Sequence, residues 1–323
     1  MAALLVGLAD ASPRDVGAPA PQEPQSQTTQ LEDVEVTAER VRDLARTFVG
    51  RVAAPSRGRG LARWRKVCPG IANLNRQVAQ PIADQIAIRA ADLGIEVDGV
   101  GCEPNIIVVF STDARSLTQA LVESEPRVFR GQGGGIDRGG AALRAFQEST
   151  RPIRWWSMTV PIDSETGRRA GRVPGDRAGG PIGARLAATL GCPPPFADCV
   201  GAGAPIIQSA GGASRLNGQI VDQLYKAIVI VDIDGVAGLN AAQLGDYIAM
   251  VTLAQIDPEA ETGGFDTVLN LFLDPQGVSG LTEWDQSYLS ALYGSRGRQR
   301  TAAAQAVAVA AIMNRERRAN DPE

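Results

Sequence analysis

The stretch from Ala227 to Gly294 constrains this chain more than any other part of it. Ala227 to Ile233 is a β-branched, mostly apolar run, which reads as a strand. Asp232 and Asp234 alternate there with Val231 and Ile233, so the two carboxylates share one face. Gly235 and Gly238 break the strand. Asn240 is then a good N-cap, and Gln243 follows three residues later, the spacing of a capping box. Ala241 to Ile256 has helical composition, with Leu244, Tyr247, Ile248, Val251 and Ala254 on one face and Met250 and Leu253 extending it. A helix this apolar is central rather than superficial. Asp257-Pro258 ends it, because proline disfavours helix in the residue before it. Leu281 to Tyr293 is a closing helix with Thr282 as N-cap and Asp285 three residues on. Leu289, Leu292 and Tyr293 are its buried side, and Gly294 takes its C-cap position.

The closing segment LTEWDQSYLSALYG resembles the one that follows the central helix in zincin metallopeptidases, on the metzincin side. There a strand precedes a central helix carrying HExxH. The chain also resembles an exported proteobacterial family of uncharacterised zincin relatives. In that family an acidic, Gln-containing helix ends in Gly-Leu and Asp, then come a "SIF" segment and the same closing helix. DYIAMVTLAQID lies on that helix with Asp257 at the terminal Asp, VLNLF takes the place of "SIF", and PNIIVVFS (Pro104 to Ser111) resembles an earlier strand. The resemblance spans roughly Cys68 to Gly294, and its recognisable motifs fall in the final part, from Ala227 onward. It implies an α/β (α+β) fold: a zincin-like mixed sheet with a central helix, one domain, stapled by disulfides.

The departure from that family carries more weight than the match. HExxH sets two imidazoles one helical turn apart to share a zinc ion, with glutamate as general base. On this register those positions hold Asp246, Tyr247 and Met250, and the third ligand position falls on Ile256. The chain has no histidine at all. A thioether is a poor zinc ligand and isoleucine is none, so the resemblance implies the scaffold with a degenerate metal site and no cofactor. An unrelated α/β core is the alternative.

Composition narrows the partners and the compartment. A formal charge of −4 argues against nucleic acid as the main partner. Lysine occurs only at Lys66 and Lys226, and the arginine excess reads as coding bias. Residues 1–11 (MAALLVGLADA) hold a short apolar run before an A-x-A pattern, read as a clipped signal peptide, with a frayed terminus as the alternative. No run is long enough to span a membrane. Four cysteines support export to the periplasm or beyond. Cys192 and Cys199 flank a short loop. A helix from about Asn75 to Leu93 covers about 28 Å and the return to Cys102 can cover about 30 Å, so Cys68 and Cys102 can meet. An even count pairing locally fits two disulfides, with free buried cysteines as the alternative.

Along the rest of the chain, residues 12–66 read as a disordered, then basic, linker ahead of a zincin-like domain over 67–294. Within the linker, LEDVEVTAER (Leu31 to Arg40) resembles the TonB box, which pairs by strand addition. Glu39 to Val52 has an amphipathic helical pattern through Val41, Leu44, Ala45 and Phe48. Arg51 to Lys66 is a solvated basic stretch or a contact for anionic lipid. Gln77 to Leu93 is an amphipathic helix through Val78, Ile82, Ile86, Ala90 and Leu93. Leu117 to Val122 adds a helix. Gly131 to Gly140 reads as a flexible loop or lid, since a phosphate loop needs a preceding strand and a following GK[ST]. Ile153 to Pro161 is a strand with one tryptophan in the core and the other towards a groove. Residues 163–217 form a long Gly/Pro/Ala-rich loop placed to cover a cleft. Residues 295–323 contain an alanine-rich C-terminal helix, with Arg315, Arg317 and Arg318 in its last turn.

Three functions compete. The first is an exported, non-catalytic peptidase-like module that binds a protein or peptide in the cell envelope. The second is a carboxylate-based hydrolase in which Asp232, Asp234 and Asp246 gather a cation or share a proton. The third is a TonB-linked envelope partner. Serine catalysis is disfavoured, because without histidine it needs a Ser-x-x-Lys pattern that neither lysine forms.

Overall fold

Two near-continuous apolar runs lie side by side and parallel at the centre of the molecule, and such runs belong in strands buried on both faces. The structure is a computed structural model that describes residues 40–56, 59–129, 137–164, 167, 220–295, 297–299 and 301–320. From residue 41 onward the chain forms one compact unit. Helix α1 (residues 40–52) comes first, then β1 (Lys66–Val67), β2 (Pro69–Ala72), α2 (Arg76–Asp92), β3 (Glu96–Val97) and β4 (Ile106–Ser111). Next come α3 (Ala114–Ser124), α4 (Pro126–Phe129), α5 (Gly140–Glu148), β5 (Ile153–Asp163) and β6 (Ile220–Asp232). The central helix α6 (Ala241–Leu253), the closing helix α7 (Glu283–Gly294) and α8 (Ala302–Asn320) complete the order.

The main sheet is mixed, in the order β2-β4-β6-β5. β2, β4 and β6 run parallel, and β5 is the antiparallel edge strand. β1 and β3 make a separate parallel pair. Side chains alternate across the sheet as a strand requires. Ala227, Val229 and Val231 face the large core beneath α1, α2, α6, α7 and α8, while Ile228 and Ile230 face a smaller core under α3, α4 and α5. The two tryptophans of β5 divide in the same way, and both are buried. The Trp155 indole donates to Ile256 O (2.9 Å) and the Trp156 indole to Phe129 O (2.9 Å), so both are anchored in the packing.

Several sequence expectations hold. The Asn240–Gln243 and Thr282–Asp285 capping boxes both form. Every residue of α6 from Gln243 to Leu253 is buried. Cys68 and Cys102 are joined, with Cα atoms 6.2 Å apart. Cys192 and Cys199, the TonB-like segment up to residue 39, the glycine-rich loop over 131–136, the long loop from 168 to 217 and residues 1–11 lie outside the described residues.

Other expectations are corrected. Val78 and Leu44 stand about half exposed, because α2 turns only Ile82, Ile86 and Ala90 to the core, and α1 turns Ala45, Phe48, Val49 and Val52. Gly294 is the last helical residue, and Ser295 caps α7 in an extended conformation. α5 follows Gly139 directly and buries Leu143 and Phe146, three residues apart on one face.

The basic linker expected over residues 12–66 is folded from residue 40 onward wherever the structure describes it. Phe48 is fully buried and meets the rings of Phe265, Tyr288 and Trp284 edge-on at 5.1, 5.5 and 5.7 Å. The Trp64 indole donates to Thr252 O (2.7 Å), and the Ala62 N–H donates to the Gln255 side chain (2.8 Å). Arg59 and the Gly60 N–H both reach Asp222. Arg63 turns inward to Leu292 O and Ser295 Oγ. Arginine composition reads as solvated, yet each of these cations has a long stem to bury and a carbonyl, hydroxyl or carboxylate to meet.

Phe48→Ala is therefore expected to cost about 3–4 kcal/mol in urea unfolding of the full chain. An unchanged midpoint would show that α1 is dispensable to the core.

Candidate functional site

The positions that the zincin resemblance would assign to a metal are occupied by core side chains. Asp246, on α6, has 2% of its surface exposed. Its Oδ1 accepts from Gln85 Nε2 (2.7 Å) and Arg89 Nε (2.7 Å). Its Oδ2 accepts from Arg89 Nη2 (2.9 Å) and the Leu281 N–H (2.9 Å). Arg89 thus grips the carboxylate with both arms of its fork. Burial pushes the Asp246 carboxyl up, but the bonds from Arg89, Gln85 and Leu281 outweigh it and hold the group below its ordinary value. The backbone makes room for this contact at two glycines. A Cβ on Gly245 would lie 2.6 Å from Gln85 Cβ, and one on Gly280 would collide with Asp246 Oδ2.

Tyr247 packs edge-on against Phe272 (5.1 Å) and Trp155 (6.2 Å), and burial drives its phenol well above its ordinary range. Met250 is fully enclosed. Ile256 offers its carbonyl to Trp155. These residues do not fit zinc. Both oxygens of Asp246 already accept two donors each, and the neighbouring positions supply a ring, a thioether and an alkyl group to an otherwise apolar core. The helix also presents no exposed face between Gln243 and Leu253 against which a substrate would lie.

Asp232 and Asp234 do not join Asp246. Asp232 ends β6 part-exposed and accepts weakly from the Gly235 N–H (3.4 Å), and Asp234 is exposed at the start of the following turn. Among the described residues no group of three His, Cys, Asp or Glu side chains is placed to hold a metal ion.

Asp285 explains the motif of the closing segment without chemistry. Its carboxyl accepts from Thr267 Oγ1 (2.5 Å), the Val268 N–H (2.7 Å), and the Thr282 N–H (3.1 Å) and Oγ1 (3.0 Å). It therefore caps α7 and pins the loop at Thr267 in one step. Burial is the larger influence and raises it from 3.8 to about 6, against the four donors that pull it down.

A concavity sits at the start of β5. It has a volume of about 50 Å³ and opens between α5, β5 and the loop after α6. Arg138 pairs there with Asp257 (3.0 Å), and Arg151 lies 3.8 Å from Glu259. Arg154 is 4% exposed; its Nε donates to Ser149 O (2.9 Å), and its Nη1 is buried with no hydrogen-bond partner among the described residues. Burial lowers the Arg154 guanidinium, with Asp232 opposing, yet an arginine keeps its charge. Sequence reading passed over Arg154, Arg89 and Gln85. The available signals were a cation inside the apolar run IRWWSMTV, and Gln85 and Arg89 one turn apart on α2. Compared with known proteins, the chain matches no family model, no curated protein and no solved structure.

Asp285 sets a pH test. Its folded value is raised, so its contribution to stability is full below about pH 3.8 and is lost as pH rises through about 6. The stability advantage of the wild type over Asp285→Asn is expected to shrink by about 2–3 kcal/mol between pH 4 and pH 6.5 in urea titrations. A constant difference would mean that the carboxyl does not change its protonation in that window.

Proposed function

We propose that the chain is an exported, non-catalytic relative of the zincin metallopeptidases that binds peptide or protein in the cell envelope. The observation that carries this reading is Asp246. The resemblance lays it on the first zinc-binding imidazole, and all four of its accepted hydrogen bonds come from structural donors. A mixed sheet whose antiparallel edge strand and last parallel strand lead into a buried helix is consistent with the scaffold. The Cys68–Cys102 bridge favours an oxidising compartment. No described helix is long and apolar enough to cross a membrane.

Peptide or protein is the ligand class that the zincin resemblance implies; β5 is the edge of the sheet, and its residues from Ile153 to Val160 are buried. The carboxylate-hydrolase reading finds no support in the positions of Asp232, Asp234 and Asp246, which belong to separate networks. The TonB-linked reading rests on a segment outside the described residues.

Elemental analysis of the purified chain after zinc loading and dialysis tests this function. Zinc far below one ion per chain is expected, with no chelator-sensitive peptide hydrolysis. One tightly held zinc together with such hydrolysis would overturn it.

A further inference from the structure

The Cys68–Cys102 bond ties down less of the molecule than its span in sequence suggests. Cys68 lies between β1 and β2, and its backbone is held to the start of β4 without the sulfur bridge. Its N–H donates to Asn105 Oδ1 (2.8 Å), and its carbonyl accepts from the N–H groups of Asn105 (3.1 Å) and Ile106 (3.3 Å). Asn105 Nδ2 also donates to Lys66 O (3.1 Å), and β2 pairs with β4 along its whole length. On the other side, Asp98 is fixed by its N–H to Val67 O (2.9 Å) and by its carboxylate to Lys66 (3.0 Å). Between these anchors, residues 99–103 have no hydrogen bond or ion pair to the rest of the chain among the described residues. The Cys102 N–H donates to Gly99 O (3.2 Å), inside the segment. The disulfide is therefore the tie on this segment, while the sheet has ties of its own.

The segment also stands clear of the core. Gly99, Val100, Gly101 and Glu103 are exposed, and a Cβ on Gly99 or Gly101 would meet nothing within 4 Å. Cys68 is 2% exposed and Cys102 is part-exposed, so a thiolate from solvent approaches the bond on the Cys102 side. Exposed bridges are the reducible ones. Residues 98–105 make one wall of an open concavity of about 720 Å³, and Lys66, Tyr225 and Lys226 make the other. The chain has no lysine besides these two.

We propose that the Cys68–Cys102 bond is a redox switch: a dithiol reductant opens it in the folded protein, which frees residues 99–103 and widens access to Lys226, while β2, β4 and β6 stay paired. One thiolate of the reductant attacks Cys102 Sγ. The S–S bond breaks, and its electron pair leaves on Cys68 Sγ, which takes up a proton. The second thiol of the reductant then attacks the mixed disulfide, closes the reductant's own disulfide and releases Cys102, which is protonated in turn. Two electrons pass from the reductant to the chain. The switch stands apart from the peptide-binding reading and does not depend on it.

The test uses the full oxidised chain with dithiothreitol as the dithiol and no denaturant. After reduction, an alkylating probe is expected to modify Cys102 about 10-fold or more faster than Cys68, with peptide mapping to separate both from Cys192 and Cys199. NMR order parameters of residues 99–103 are expected to fall from about 0.85 to about 0.6 or below, while those of β2 and β4 stay near 0.85. Acylation of Lys226 by an amine-reactive ester is expected to rise about 3-fold or more as the wall loosens. The double variant Cys68→Ala, Cys102→Ala isolates this bond from the other cysteines and is expected to match the reduced chain in both readouts. A bond that dithiothreitol opens only in denaturant would overturn the switch. Loss of order in β2 and β4 on reduction would overturn it too, by making the bond a staple of the sheet. Unchanged order at residues 99–103, or an unchanged Lys226 rate, would overturn its control of the cavity.

Discussion

Asp246 places a carboxylate in the middle of a buried helix, and an ion in such a place is tolerable only when donors saturate it. Gln85 and Arg89 reach it from α2, and the Leu281 N–H reaches it from the approach to α7. One side chain thereby joins three parts of the chain that are far apart in sequence. The contact requires α2 and α6 to approach closely, which Gly245 permits, and the approach to α7 to pass tightly over the carboxylate, which Gly280 permits. The order of the central helix, its neighbour and the closing segment follows from satisfying this one charge.

The same economy accounts for the closing helix. Thr282 and Asp285 form its capping box, and Asp285 also receives Thr267 and the Val268 N–H. Its buried face then completes an aromatic centre that Phe48 of α1 enters from the N-terminal side. A motif that resembles one in metallopeptidases is thus explained here by capping and packing.

Local signals were legible in the sequence and distant partners were not. The Asn240 and Thr282 caps, the apolar runs of β4 and β6 and the reach from Cys68 to Cys102 depend on neighbouring residues or on simple lengths. The role of Asp246 depends on Arg89, 157 residues away, which no local pattern announces. Residues 59–66 looked like solvated linker because arginine usually is, and only the fold reveals Asp222, Thr252 and Leu292 as their partners. The two tryptophans of β5 were expected to differ in burial. A strand covered on both faces buries each of them on its own side.

A double-mutant cycle on Arg89→Met and Asp246→Leu, read by urea unfolding, asks most directly whether position 246 is a structural clamp. Each single change is expected to cost about 3 kcal/mol, because it strands a charge in or near the core. The double variant is expected to cost clearly less than the two single losses added, giving a coupling of about 2 kcal/mol or more. Small losses that simply add would mean that the pair does not hold α2 to α6, and would return Asp246 to the list of groups free for chemistry.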